Sequence, residues 1–197
     1  LGKVAYSQPF MQAEKLFHSG KFLAAKPFYH TYLEKFKRGK RRSKAFFRLG
    51  LIDQNAKSYS TALRFYKMVL QEHPSNLLIN DIKFNMAVCN FEIGKFGIAE
   101  KLFKTVIRKS LDKKRKWEAL YFLSRLDGMR FGFDEGIQKL KKVYEQVDDR
   151  GMSKQAFKLT EKMIDGELDE RVLSSLLQKY KTGFPADLLL LKKLSLH

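Results

Sequence analysis

The chain has 197 residues, 44% hydrophobic and 13% aromatic, with 39 Lys and Arg against 21 Asp and Glu, a formal net charge of +18. That apolar content excludes a disordered chain, and no run approaches the roughly 20 apolar residues that a membrane-spanning helix needs. The charge is silent on the fold but predicts attraction to polyanions: nucleic acid, anionic membrane or an acidic protein.

Residues 1–9 form a lead-in without clear periodicity. Residues 10–19 read as a helix with Phe10, Ala13, Leu16 and Phe17 on one side. Its partner runs from about residue 24 to 36, which keeps Pro27 within the first turn, where it breaks no hydrogen bond. The basic linker KFKRGKRRSK follows at 35–44, and Ser43 is an N-cap for a helix over 44–55. Ser58 caps its partner over 60–72, which His73-Pro74-Ser75-Asn76 ends. A third pair covers 78–93 and 97–110, and a second basic linker covers 108–116. A fourth covers 117–126 and 134–147, with Asp134 as the cap, before a turn at Asp148-Asp149-Arg150-Gly151. Gly20 and Gly94 supply the positive φ that helix ends favour.

These pairs repeat at a step of 37 residues. Phe22, Tyr59, Phe96 and Phe133 stand in one column, and Ala25, Ala62, Ala99 and Gly136 in another. Tyr29, Tyr66, Phe103 and Leu140 form a third, and Ala13, Gly50, Ala87 and Ser124 a fourth. Four columns in register without a gap make a repeat protein. A helix pair this small cannot bury its apolar face alone, so it stacks on its neighbours. Small residues stand where backbones approach, and aromatics fill the wedge between paired helices.

Leu49-Gly50, Tyr59, Ala62, Tyr66 and Pro74 resemble the tetratricopeptide repeat: its leucine-glycine pair, second-helix aromatic, alanine, aromatic and closing proline. The resemblance covers residues 10–147, strongest over 44–74 and 83–110 and weakest in the fourth unit. The step exceeds the usual one of about 34. With units such as LFHSGKFLAAKPFYHTYLEKF, it is similar to the bacterial cell-envelope type, such as the outer-membrane-protein assembly lipoprotein and the Tol-Pal coordinator. The implied fold is all-α: a right-handed α-solenoid of four helix pairs over 10–37, 44–74, 78–110 and 116–147. Beyond 147 the register fails but helical periodicity persists. Met152, Ala156, Leu159 and Met163 form one stripe, and Val172, Leu173, Leu176, Leu177 and Tyr180 another. Residues 148–197 are expected to be a divergent helical pair plus a capping helix over 186–194; the rival reading is the start of a further domain.

The catalytic inventory is poor. His18, His30, His73 and His197 form no short-range ligand pair, and Cys89, the one cysteine, reads as a packed core thiol. There is no phosphate-binding glycine loop, HExxH or GxSxG. Asp148-Asp149 and Asp165, Glu167 and Asp169 lack calcium-loop spacing and suit helix capping. The reading is of no enzyme, no cofactor, no metal and no small-molecule substrate. No export signal is legible, and a chain beginning at Leu1 is expected to be processed, trimmed or excised from something longer.

Two binding features remain. Phe10, Phe47, Phe84 and Tyr121 form a further column at the same step, three residues before the small one. By the resemblance, first helices line a concave groove, where this column, Phe17 and Phe91 would meet an apolar partner segment. The structural alternative is packing between repeats. Lys40, Arg41 and Arg42 match Lys114, Arg115 and Lys116 at twice the step, which predicts one basic edge of exposed loops. The alternative is two solvated loops. No aromatics interleave the charges, which argues against base stacking. Lys44 and Arg48 alone do not rebuild the carboxylate clamp by which some tetratricopeptide proteins hold chaperone tails.

The leading expectation is a non-enzymatic adaptor for a protein segment that mixes apolar and acidic residues, envelope-associated or periplasmic by resemblance, with a cytoplasmic location open. The alternative is a polyanion-binding protein that uses the basic edge on nucleic acid, anionic membrane or envelope polymer.

Overall fold

The computed structural model describes residues 8–72, 76–146, 150–165 and 170–195. Among them every regular element is an α-helix. In chain order these are α1 Gln8–His18, α2 Phe22–Lys35, α3 Arg42–Asn55, α4 Tyr59–Gln71, α5 Asn76–Glu92 and α6 Phe96–Lys109. Then come α7 Lys113–Phe131, α8 Phe133–Gln146, α9 Arg150–Asp165, α10 Glu170–Lys179 and α11 Ala186–Leu194. Pro74, Asp148, Asp149, Glu167, Asp169 and His197 lie outside the described residues, while Arg150 and Gly151, expected in a turn, open α9. Two compact units divide the chain, Leu1–Leu102 and Phe103–His197, with the boundary inside α6.

In the first unit α1 packs on α2, α3 on α4, α2 on α3 and α4 on α5. The small columns explain how closely. Ala13, Ala25, Ala62, Ala87 and Ala99 are fully buried, and so are the large partners Tyr29 and Tyr66. Gly50 shows the reason for small side chains most directly. A Cβ there would sit 2.5 Å from Cε1 of Tyr66.

Three helices of this unit stop in the same way. The N–H of Lys21 reaches the carbonyl of Leu16 at 2.9 Å, Ser58 that of Asp53 at 2.8 Å, and Lys95 that of Asn90 at 2.8 Å. The residue before each donor must turn left-handed, as in a Schellman cap. Gly20 (φ 74°) and Gly94 (φ 78°) do so without a Cβ, whereas the same place in the middle repeat holds Lys57 at φ 59°.

Several local expectations are corrected. The helix containing Pro27 starts at Phe22, which moves the proline from the first turn into the second. Its missing N–H leaves the Leu23 carbonyl without a helical donor, and Leu23 is 78% exposed, so water can supply one. Ser43 lies inside α3, and its hydroxyl donates to the Glu72 carbonyl at 3.2 Å. Ser58 precedes α4 but makes no side-chain cap; its N–H closes the end of α3 on the Asp53 carbonyl.

In the second unit α7 begins four residues before the expected helix. Asp112 caps it by accepting from the Lys114 N–H at 2.9 Å. Lys114, Arg115 and Lys116 therefore lie in a helix and not in a linker. Leu126 on α7 and Ile137, Leu140 and Val143 on α8 are buried, and Ser124 donates its buried hydroxyl to the Tyr121 carbonyl at 2.7 Å. Asp134 lies in the first turn of α8, where its carboxylate accepts from Tyr180 Oη at 2.9 Å and Lys179 Nζ at 2.5 Å. It ties α8 to α10 rather than acting as a free cap. Burial pushes its carboxyl up, but the bonds from Lys179 and Tyr180 outweigh that and lower it. Ile137, Ile164, Leu173, Leu176 and Leu189 share one core, and Phe184 stacks on Tyr144 with ring centroids 4.2 Å apart. The last three helices thus fold onto α8.

Candidate partner-binding face

The aromatic column is less open than its spacing suggests. Phe10 is 2% exposed, and Phe84 and Phe91 are each 6% exposed, so these three are buried and not partly exposed groove residues. The cause is the neighbouring helix. Phe10 lies 5.1 Å from the Tyr32 ring and 5.9 Å from that of Tyr29. Phe47, its repeat equivalent, lies 6.0 Å from the Tyr66 ring yet stays half-buried. Phe17 and Phe91 meet the aromatics that open the next helices, Phe22 at 5.1 Å and Phe96 at 5.6 Å. Phe17 retains some surface, with the Arg48 guanidinium 4.3 Å from its centroid. In the second unit Tyr121 is half-buried, edge-on to Phe122.

A buried carboxylate sits beside this face. Glu14 on α1 accepts from Tyr29 Oη at 2.6 Å and Arg48 Nε at 3.1 Å on one oxygen. Its other oxygen meets Lys44 Nζ at 2.6 Å and His18 Nε2 at 3.6 Å. Burial pushes the Glu14 carboxyl up, but hydrogen bonds from Lys44, Tyr29 and Arg48 outweigh that and hold it at about 2. Burial and the bond to Glu14 push the Tyr29 hydroxyl up in turn. The cluster pins α1 to α3.

Sequence reasoning missed Glu14, because nothing in the spacing of residues 14, 44 and 48 shows that they meet. It also missed a legible signal. Asp53, Asn90 and Asp127 recur at the 37-residue step, and all three are buried. Asp53 pairs with Lys26 of α2, and Asp127 with Lys139 of α8. Asn90 donates to the Met86 carbonyl at 2.7 Å.

The basic triplets are likewise uneven. Lys40 and Arg41 are exposed in the turn before α3. Arg42 is not a free loop cation: it donates to Glu72 at 2.9 Å and to the Leu33 carbonyl at 2.9 Å, which closes α3 onto α2 and α4. In the second unit Lys114 is exposed, Lys116 is partly covered, and Arg115 pairs with Glu118 at 2.6 Å. Each triplet thus spends one arginine on structure. Cys89 is fully buried, and burial, helped by Glu92, pushes its thiol up to about 12, far from a reactive thiolate at neutral pH.

No protein-family model matches the chain, and no curated protein matches it. Among solved structures, the chain is similar to a tetratricopeptide repeat protein from Parabacteroides merdae ATCC 43184, with a TM-score of 0.63 at 19% identity over 95% of this chain and 74% of that one. A candidate protein-binding protein from Bacteroides ovatus ATCC 8483 aligns over 98% of this chain and 99% of its own, at 16% identity. Its TM-score of 0.44 is too low to argue from. The repeat register and the first likeness agree on the fold: the chain is an all-α, tetratricopeptide-like repeat of the α-solenoid class.

Proposed function

We propose that this chain is a non-enzymatic scaffold that binds a segment of a partner protein on the α1–α3 face of its first unit. The observation that carries this reading is the contrast within one column. Phe10 and Phe84 are sealed, while Phe47 is only half-buried in a helix that also carries Lys44 and Arg48. An aromatic left half-buried in the free protein, on a helix whose neighbouring positions are cationic, suits a partner segment with an apolar anchor and acidic neighbours. The tetratricopeptide-like fold supports a protein partner in general. The 37-residue step supports the bacterial cell-envelope type, and with it an envelope-associated or periplasmic setting.

The test is affinity capture with the wild type and Phe47→Ala side by side, quantified by mass spectrometry, together with their melting curves. Proteins held by the wild type and lost by a variant that melts normally support the face. An unchanged capture profile removes it.

One observation favours a second reading, polyanion binding. Lys37, Arg38 and Lys40 are exposed, with no acidic partner among the described residues. Retention on heparin that collapses with added salt, and that is lost when these three become Gln, would mark it.

A further inference from the structure

We propose that a cleft beside Glu14 receives an acidic side chain of the partner segment, carried next to an apolar one. This rests on the scaffold reading and names part of what the segment must contain.

The cleft is open and about 440 Å³ in volume, with Phe10, Met11 and Glu14 on α1 and Arg41 and Lys44 at the start of α3 among its lining. Its apolar part is real: Met11 is 55% exposed. Its polar part is electrically unbalanced. Glu14 carries one negative charge, and Lys44 and Arg48 already bond to it. Both carboxylate oxygens are engaged, so Glu14 fixes its cations in place and is overcompensated by them. Arg41 and Lys15 add two more positive charges with no acidic partner among the described residues. The side-chain hydrogen bond of Arg41 runs to Met11 Sδ at 3.6 Å, and a thioether is a poor acceptor. Its guanidinium stands 5.2 Å from the Phe10 centroid, over a ring that cannot move because it is buried.

A guanidinium held over a buried ring, with its only side-chain bond among the described residues to a weak thioether acceptor, is prepared for a carboxylate. The apolar surface beside it asks for a hydrophobic neighbour. The dimensions favour a peptide over the other anions. A concave cleft of this size takes one or two side chains, whereas a nucleic-acid backbone or a lipid surface gains most from a broad row of cations.

The experiment is a selection of random 12-residue displayed peptides on the full chain. The most enriched sequence is then made with blocked ends, together with its Asp→Asn and Glu→Gln counterpart, and binding is read by fluorescence anisotropy. The expected result is enrichment of an acid beside an apolar residue. Affinity should fall about tenfold for the amide peptide and about tenfold for Arg41→Gln or Lys15→Gln, because a charged hydrogen bond is typically worth that much. Amide peptide and Arg41→Gln together should lose little more than either alone. Arg41 and Lys15 are exposed, so both variants should melt with the wild type. The proposal is overturned if no peptide is enriched, if enriched peptides lack acids, or if Arg41→Gln and Lys15→Gln bind normally. A peptide lost on Phe47→Ala but kept by Arg41→Gln sinks the cleft and spares the scaffold reading. A peptide lost on Arg41→Gln but kept by Phe47→Ala supports the cleft and removes the aromatic site. Enrichment of no peptide, with heparin or anionic vesicles bound through Arg41, assigns the cleft to polyanions.

Discussion

Lys57 holds the left-handed position that Gly20 and Gly94 hold in the flanking repeats. A side chain there costs about 1–2 kcal/mol, and glycine would recover it less about 0.5–1 kcal/mol of extra chain entropy. Lys57→Gly is therefore expected to stabilise the protein by about 0.5 kcal/mol, read as a raised denaturant midpoint; a lowered midpoint would show that the lysine is not strained. Gly50 poses the opposite case. Alanine gains about 1 kcal/mol in an exposed helix, but here its Cβ meets the Tyr66 ring. That ring cannot retreat, since it is fully buried and its hydroxyl donates to Gln54 Oε1 at 2.7 Å. Overpacking costs about 1–3 kcal/mol, so Gly50→Ala is expected to lower stability by about 1 kcal/mol. Gly50 was legible as a close approach because small residues recur at its place. The conformation of Lys57 was not, because lysine carries no mark of a positive φ, although the register of Gly20 and Gly94 pointed to the position.

At the scale of elements, helix identity followed from periodicity, and the errors have local causes. The run of basic residues before Trp117 read as a linker because charge hides the helical pattern, yet it is the first turn of α7, partly exposed, under an Asp112 cap. Exposure along the aromatic column was not legible at all. It depends on what the adjacent helix brings, two tyrosines against Phe10 but one against Phe47. The Glu14 cluster makes the pairing of α1 with α3 sensitive to acid. Its carboxyl is held at about 2, below the ordinary 4.5, so the folded chain resists protonation more than the unfolded one. The stability this lends is complete above about pH 4.5 and is lost as pH falls towards 2. Denaturant midpoints between pH 6 and pH 3 should fall less in Glu14→Gln than in the wild type, and Glu14→Gln should be the weaker protein at pH 6. Parallel acid limbs would mean that the carboxylate is not held this way.

Across the whole molecule, charge and fold point to different classes of partner, and salt separates them. A net charge of +18 guarantees some attraction to polyanions. Such binding weakens steeply, by roughly 10³–10⁵ between about 50 and 200 mM salt where six to ten charges are neutralised. A segment seated on Phe47 with one or two acidic contacts is expected to lose less than about tenfold over that range. The Lys37, Arg38 and Lys40 triple change to Gln should lower heparin retention while leaving that segment bound. Loss of both together would unite the two activities on one surface. The repeat register made the fold class readable from sequence. The proposed binding face could only be narrowed once burial was known.

The most direct measurement sets Phe47→Ala beside Phe84→Ala and follows melting and partner binding on the same samples. Phe84 is buried, so its loss should cost about 3–5 kcal/mol and melt the protein early. Phe47 is half-buried, so its variant should melt close to the wild type yet bind the partner segment with a free-energy loss of about 2 kcal/mol. Phe47→Ala that melts normally and binds normally, or that melts as early as Phe84→Ala, would contradict the account.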